Sequence, residues 1–252
     1  ELQVYFTSVT DHWATATVTG PNARKVMAKV CQDIDLAPES FGFMDWRDGT
    51  VAGVAARVFR ISFTGELSYE VNVPAHYGRY MWEQLIKAGA EFNITPYGTE
   101  TMHVLRAEKG FIIVGQDTDG SMTPVDMNMN WVVGKNKVFS FIGKRSLERS
   151  DSVRENRKQL VGLKTLDPSA VLPEGAQIVN DPNQPIPMSM QGHVTSSYYS
   201  ASLGHSIALA VVKGGLNRMG DTIHCPAADG SSIAAKIVNS VFYDPTGKRQ
   251  NV

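Results

Sequence analysis

The sequence predicts an α+β domain, residues 1–150, followed by a β-barrel or jelly-roll domain, residues 151–252. Residues 12–19 alternate as in a strand, a Gly-Pro break ends them, and an apolar stripe at helical spacing follows. Residues 144–158 are rich in charge and poor in apolar side chains, as expected of a helix end followed by a linker. Beyond them, short strand-like runs separated by Gly, Pro, Asn and Asp are typical of a compact all-β domain.

The first domain continues with a hairpin and two helices. Residues 53–63 are rich in β-branched and aromatic side chains, and residues 68–73 alternate after a Thr-Gly-Glu turn, which indicates a β-hairpin. One helix is predicted to begin at Pro74, and another to cover residues 99–108 until Gly110 ends it. The apolar face of the first of these helices can pack on the hairpin; it consists of Tyr77, Met81, Leu85 and Ala88.

Six strands are predicted in the second domain, because each run is bounded by turn residues. They cover residues 159–165, 176–179, 192–197, 205–212, 221–224 and 232–241. Several short strands with turn residues between them argue for a compact barrel or jelly roll.

The composition is that of an ordinary globular chain. Of 252 residues, 42% are hydrophobic and 19% are charged, which suffices for a full core. A net charge of −1 gives no field that would attract nucleic acid or an anionic membrane. Cys31 and Cys225 lie far apart without nearby ligands, and the six histidines form no metal-binding motif. We therefore expect no nucleic acid, membrane or metal partner, and a reducing cytoplasm as the location.

Two stretches carry motifs in a fixed order. The first holds Thr64-Gly-Glu and Tyr69-Glu70; the second holds Leu105-Arg-Ala-Glu-Lys-Gly, a Gly-Gln-Asp-Thr-Asp turn, and Phe141-Ile-Gly-Lys. In these residues the chain resembles the aminomethyltransferase family, which includes the glycine cleavage T-protein and the folate-binding halves of dimethylglycine dehydrogenase and of the sarcosine oxidase alpha subunit. The closest likeness is to the last of these. Residues 192–209 also resemble the C-terminal barrel of the family.

The resemblance implies a binding site for tetrahydrofolate. In the family, the Glu of the Tyr-Glu pair binds the amino-pyrimidinone edge of the pterin, a role that falls on Glu70, because two parallel N–H donors match two carboxylate oxygens. Phe63, Tyr69, Phe111 and Trp131 are the aromatics nearest to the folate-contacting positions, and are expected to line the slot. From the residues alone, Glu70 could instead lie on a solvated strand face, and each aromatic in a core.

Arg106 has two interpretations. It is a candidate folate ligand, and it could equally be a buried arginine that ties its helix to the turn at Asp117 and Asp119. Two positions depart from the T-protein pattern. Met102 stands where T-proteins carry an arginine that meets the folate tail, and Phe63 stands where they usually carry tyrosine.

The function implied by the resemblance is the tetrahydrofolate-binding part of a sarcosine oxidase alpha subunit. It would receive the one-carbon unit of oxidised sarcosine and form methylene-tetrahydrofolate, with flavin in another subunit of a hetero-oligomer. The alternatives are a glycine cleavage aminomethyltransferase and a non-catalytic folate-binding or docking module. The chain begins without Met inside a strand-like run, residues 2–7, which predicts a fragment. Since the catalytic Asp of T-proteins lies further upstream, no catalytic residue is assigned.

Overall fold

The computed structural model describes residues 2–134 and 136–252. These divide into two compact units, Glu1–Met102 with Thr246–Val252, and His103–Pro245. The domain boundary predicted at residue 150 does not coincide with this division, and it stays a prediction.

The first unit is built on four strands: β1 (Trp13–Thr19), β2 (Trp46–Val51), β3 (Val54–Phe59) and β4 (Ser68–Pro74). They form an antiparallel sheet in the order β1-β4-β3-β2. The helices are α1 (Ala23–Val30), α2 (Gly78–Gly89) and α3 (Thr99–Glu108), of which α3 begins in this unit. Short 3-10 helices cover Thr10–His12, Ala75–Tyr77, Ala90–Phe92 and Lys248–Gln250.

The core of the first unit lies between one face of its sheet and two helices. α1 contributes Val26 and Met27, and α2 contributes Met81 and Leu85. Successive side chains of a strand point to opposite faces, so the residues between the core residues lie on the other face of the sheet. The strand residues in this core are Val18, Val51, Val54, Ala56, Val58, Tyr69, Val71 and Val73.

The second unit contains a closed sheet of six strands. They are β5 (Lys158–Thr165), β6 (Gln177–Ile178), β7 (Gly192–Ser200), β8 (His205–Lys213), β9 (Thr222–Pro226) and β10 (Ser232–Val238). Their order is β6-β7-β8-β5-β10-β9, and the two outer strands meet through a bridge between Val179 and His224. The predicted barrel is therefore confirmed. Apolar side chains from β5, β7, β8, β9 and β10 fill its interior.

Several short helices lie outside this barrel. α4 (Lys144–Leu147) and α5 (Ser150–Val153) fall in the segment predicted as a linker, and 3-10 helices cover Asn130–Val132 and Gly215–Arg218.

Two segments differ from the sequence-based prediction. β2 was not predicted, because its Asp and Gly have low β-propensity; an edge strand with one exposed face tolerates them. Residues 2–9 form no strand although residues 2–7 read as one. They have no hydrogen-bonded strand neighbour among the described residues, and Leu2, Tyr5 and Phe6 are almost fully exposed.

A buried ion pair holds the charged segment, residues 144–158, to the rest of the second unit. The Arg157 guanidinium donates to both Asp126 carboxylate oxygens, at 2.8 and 2.7 Å, and both side chains are buried. Burial raises the pKa of Asp126, but the bonds from Arg157 and Thr123 outweigh it and hold that pKa below its usual value. Arg157 also donates to Asp151, whose side chain is 71% exposed.

These two contacts of one arginine predict unequal costs on mutation. Asp126→Asn leaves the buried guanidinium with only its exposed partner Asp151, which should lower the free energy of unfolding by about 3–5 kcal/mol. Asp151→Asn breaks an exposed contact and should cost less than about 1 kcal/mol. Urea denaturation of both variants measures the difference, and equal losses would show that the buried contact contributes no more stability than the exposed one.

Candidate functional site

Glu70 lies on the face of the first sheet opposite the core. In β4, Tyr69, Val71 and Val73 are buried, while Glu70 and Asn72 are partly exposed. β4 is a central strand, so Glu70 has neighbours on both sides: Thr17 of β1 and Phe59 of β3.

The Glu70 carboxylate is partly buried and unpaired. Among the described residues it has no hydrogen-bond donor and no cation within ion-pair distance. Burial alone raises its pKa above the usual value, because nothing replaces the water lost by the charged form. A carboxylate in this state is ready to accept N–H donors from a ligand.

The neighbouring cation on this face of the sheet, Arg57, is already paired with another carboxylate. Arg57 of β3 donates to both carboxylate oxygens of Asp48, at 2.8 and 3.0 Å, and its guanidinium stacks 4.5 Å from the Trp46 ring centroid. Asn72 receives a bond of 2.6 Å from the Thr15 hydroxyl. The polar groups around Glu70 therefore satisfy one another and leave its carboxylate free.

A cavity of about 520 Å³ lies along the outer edge of β1, entirely within the first unit. Its walls include Thr15 and Thr17 of β1, Trp82 of α2, and Tyr97 and Met102. The volume falls in the usual range for small-molecule sites.

Tyr97 lines this cavity, whereas Glu70 does not. The pKa of Tyr97 is raised first by burial and then by the charge of Glu70. The phenol therefore stays protonated at neutral pH and can donate a hydrogen bond. Sequence reasoning did not assign Tyr97 to the site, because the residue lies in a segment without regular structure just before α3.

The six predicted site residues are divided between the units. In the first unit, Tyr69 is completely buried in the core, where its ring lies 5.8 Å from that of Phe41, on the opposite side of the sheet from Glu70. Phe63 is partly buried in the connection between β3 and β4. Of these three residues, only Glu70 combines partial exposure with an unsatisfied polar group at the sheet face.

The second unit holds the remaining three. Arg106 is completely buried, Phe111 is partly buried, and the side chain of Trp131 is 79% exposed. Arg106 and Phe111 are adjacent, since Arg106 Nη1 donates to the Phe111 carbonyl at 3.0 Å. Their roles in folate binding stay predictions.

Arg106 belongs to a buried hydrogen-bonded network. Its guanidinium pairs with Asp117 and donates to Ser196 Oγ at 2.6 Å. The Asp117 carboxylate also accepts from the Ile113 amide and from the Thr195 and Ser196 hydroxyls. These contacts support the structural interpretation of Arg106 with respect to Asp117. The predicted contact with Asp119 is absent from the described residues, because Asp119 accepts from Ser121 instead.

The rest of the Leu-Arg-x-Glu-x-Gly motif is structural as well. Glu108 accepts from the Ser200 hydroxyl at 2.6 Å, and both are buried. Gly110 has φ +68°, and a Cβ there would lie 2.5 Å from the Ser240 carbonyl oxygen. The motif thus fixes the end of α3 within the second unit.

In the described part of the chain, no helix is long and apolar enough to cross a bilayer. No three His, Cys, Asp or Glu side chains there come together as metal ligands.

Comparison with known proteins gives consistent matches. Residues 1–137 match the family model of the GCVT N-terminal domain, and residues 158–244 match the glycine cleavage T-protein C-terminal barrel domain. The chain is 48% identical to sarcosine oxidase subunit alpha of Corynebacterium sp. (strain U-96), an alignment that covers 100% of this chain and 26% of that protein. It is 30% identical to the aminomethyltransferase of Listeria monocytogenes serotype 4a (strain HCC23), covering 95% and 62%.

A solved structure shares the fold. The glycine cleavage system aminomethyltransferase T from Bartonella henselae superposes with a TM-score of 0.77 at 22% identity, covering 92% of this chain and 60% of that one. The predicted fold class is confirmed by this match and by the two family models. The chain spans about a quarter of the length of the sarcosine oxidase relatives.

The state of Glu70 predicts how stability depends on pH in the absence of ligand. A carboxyl whose pKa is raised by folding stabilises the fold below its unfolded pKa, and this contribution is lost as the pH rises through the folded pKa. Glu70→Gln should therefore melt higher than wild type at pH 7. The difference should disappear near pH 4.

Glu83→Gln is the matched control for this experiment. Glu83 is exposed on α2 and paired with Arg79 at 2.8 Å, so its replacement should produce no such gain. A lower melting temperature for Glu70→Gln at pH 7 would mean that its carboxylate has a stabilising partner.

Proposed function

Because this chain belongs to the glycine cleavage T-protein family, we propose that it is the tetrahydrofolate-binding part of a sarcosine oxidase alpha subunit. In this role it holds tetrahydrofolate while the one-carbon unit of oxidised sarcosine is transferred to form methylene-tetrahydrofolate. The higher identity to sarcosine oxidase alpha subunits, 48% against 30% for an aminomethyltransferase, supports this choice within the family.

The observation that carries the proposal is the unpaired, partly buried carboxylate of Glu70. The amino-pyrimidinone edge of a pterin presents a ring N–H and an exocyclic amine side by side, and a carboxylate meets both with its two oxygens. The raised pKa of Glu70 means that the charged form lacks stabilisation in the free protein. Two N–H donors supply what is missing, so ligand binding is coupled to ionisation of Glu70.

The neighbouring groups suit the same ligand. Tyr97 keeps its proton and can donate to a ligand oxygen, and Thr17 places a hydroxyl directly across from Glu70. Phe59, on the other side, offers an aromatic surface for a flat ring. When bound, tetrahydrofolate supplies the two ring nitrogens that capture the one-carbon unit. The residues of this chain bind and orient it and limit the access of water.

The partners follow from the same proposal. In this proposal, flavin and the oxidation of sarcosine belong to another subunit of a hetero-oligomeric oxidase. In the 252 residues given, no dinucleotide-binding glycine motif follows a strand. A cytoplasmic location is part of the proposal, and the unpaired, buried state of Cys31 and Cys225 is compatible with it.

A glycine cleavage aminomethyltransferase remains the second candidate. The 30% identity to the Listeria enzyme over most of this chain favours it. Met102 in the cavity wall and Phe63 before β4 count against it, because T-proteins usually carry arginine and tyrosine there. A non-catalytic docking module is the third candidate, and it predicts no binding of folate at all.

Titration calorimetry with tetrahydrofolate tests the proposal. Glu70→Gln replaces one acceptor oxygen by an amine that faces a donor edge, so a charge-assisted bond is lost and a buried donor is left unpaired. The affinity should fall about 10- to 150-fold, which corresponds to about 1.5–3 kcal/mol. Glu83→Gln, the same change on an exposed helix face of the same unit, should bind as wild type does.

The outcomes test the role of Glu70 and separate the two folate-binding candidates from the docking module. Equal affinities of wild type and Glu70→Gln would remove Glu70 from the site. Undetectable binding by wild type in the complete subunit would favour the docking module.

A further inference from the structure

The last residues of the chain return to the first unit. Residues 246–252, here called the strap, belong to that unit and contain one 3-10 turn, Lys248–Gln250. Two arginines bind the backbone of the strap. Arg60 Nη2 donates to the Gln250 and Val252 carbonyl oxygens, at 3.0 and 2.9 Å, and Arg24 Nη2 donates to Val252 at 2.6 Å.

The strap contacts the connection between β3 and β4, residues 60–67, at both ends. Arg60 is the first residue of this β3–β4 loop, and its side chain is buried under the strap. Near the other end, Arg249 of the strap donates to Glu66 Oε1 at 2.9 Å. Glu66 comes four residues before Glu70, and Phe63 lies between the two anchored ends.

Leu67 anchors the end of the loop in the core, and polar contacts hold the residues before it. The Ser62 hydroxyl accepts from the Gly65 amide at 2.9 Å, and the Thr64 hydroxyl lies 2.8 Å from that of Thr19. A segment held by a few hydrogen bonds opens locally at a lower free energy than the strands beside it. Losing an outside anchor should therefore affect the loop before it affects the fold.

We propose that the strap positions the β3–β4 loop for ligand binding, and that the Arg249–Glu66 pair is the contact through which it does so. The inference rests on the proposed function, because the loop carries Phe63 and leads into the strand that carries Glu70. Arg249 and Glu66 are positioning residues. They hold the loop in the shape that binds folate, and they do not contact the ligand.

The Arg249–Glu66 pair is suited to fixing the conformation of the loop more than to stabilising the whole fold. Its side chains are 49% and 22% exposed, so solvent screens the charges and the pair contributes little to the fold. An ion pair of this kind can still fix one loop conformation, at a cost in ligand affinity when it is lost.

A double-mutant cycle with two readouts tests the inference on the full chain. Arg249→Gln, Glu66→Gln and the double variant are compared by hydrogen exchange without ligand and by titration with tetrahydrofolate. Each single variant should speed exchange of the Gly65 amide, which donates to the Ser62 hydroxyl within the loop, and should weaken folate binding about two- to fivefold. The double variant should be no worse than either single variant, and the charge-swapped pair Arg249→Glu with Glu66→Arg should restore part of the affinity.

Arg79→Gln is the matched control. Arg79 forms an ion pair of similar length with Glu83 on α2, away from the loop, so its loss should change neither readout. Unchanged exchange in Arg249→Gln would overturn the role of the Arg249–Glu66 pair, whatever happens to folate, because Arg60 would still join the strap to the loop. Faster exchange with wild-type affinity would overturn its positioning role.

The test separates this inference from the function on which it rests. If wild type does not bind folate, the proposed function fails and the positioning role fails with it, while hydrogen exchange still reports whether the strap holds the loop. If Glu70→Gln weakens binding and Arg249→Gln does not, the function stands and the positioning role is wrong.

Discussion

The alternation of side chains along β4 is the constraint on which the first unit and its candidate site depend. Tyr69, Val71 and Val73 enter the core between the sheet and the helices, and this burial fixes the register of a central strand. A shift by one residue would bury Glu70 and expose three core side chains. The core therefore holds the Glu70 carboxylate at the opposite face, although it makes no contact with it.

The second unit depends on a different interaction, the buried network around Asp117. A β-bulge in β7 lies between Val194 and Ser196, and it lets the hydroxyls of the adjacent Thr195 and Ser196 both reach Asp117. Arg106 supplies the compensating charge. Bulges redirect side chains in this way, and a buried carboxylate requires such a full set of donors. The motif that ends α3 is thus needed for the architecture of the barrel unit.

Much of the fold could be predicted because its signals are local. Alternation and turn residues located the barrel strands to within a few residues, and apolar spacing located the helices. Alternation also placed Glu70 and Tyr69 on opposite faces, which is where the structure has them. The unpaired state of Glu70 could not be predicted, because it depends on Asp48 of the unpredicted strand β2 holding Arg57.

The other features that the sequence did not predict depend on residues far apart in the chain. The charge of Glu70 acts on Tyr97, which lies in a segment without regular structure. No periodic sequence pattern predicts where such a segment runs. The anchoring of Glu66 by Arg249 joins residues 183 positions apart. A single sequence contains no signal for either contact, whereas the buried arginine at position 106 could be anticipated from the rarity of unpaired charge in protein interiors.

The central claim is that Glu70 binds the pterin edge of tetrahydrofolate from the exposed face of β4. A crystal structure of the complete subunit with tetrahydrofolate bound tests this most directly. The account predicts both Glu70 carboxylate oxygens within hydrogen-bond distance, about 2.7–3.2 Å, of the ring N–H and the exocyclic amine. A pterin bound elsewhere, with Glu70 facing solvent, would contradict it.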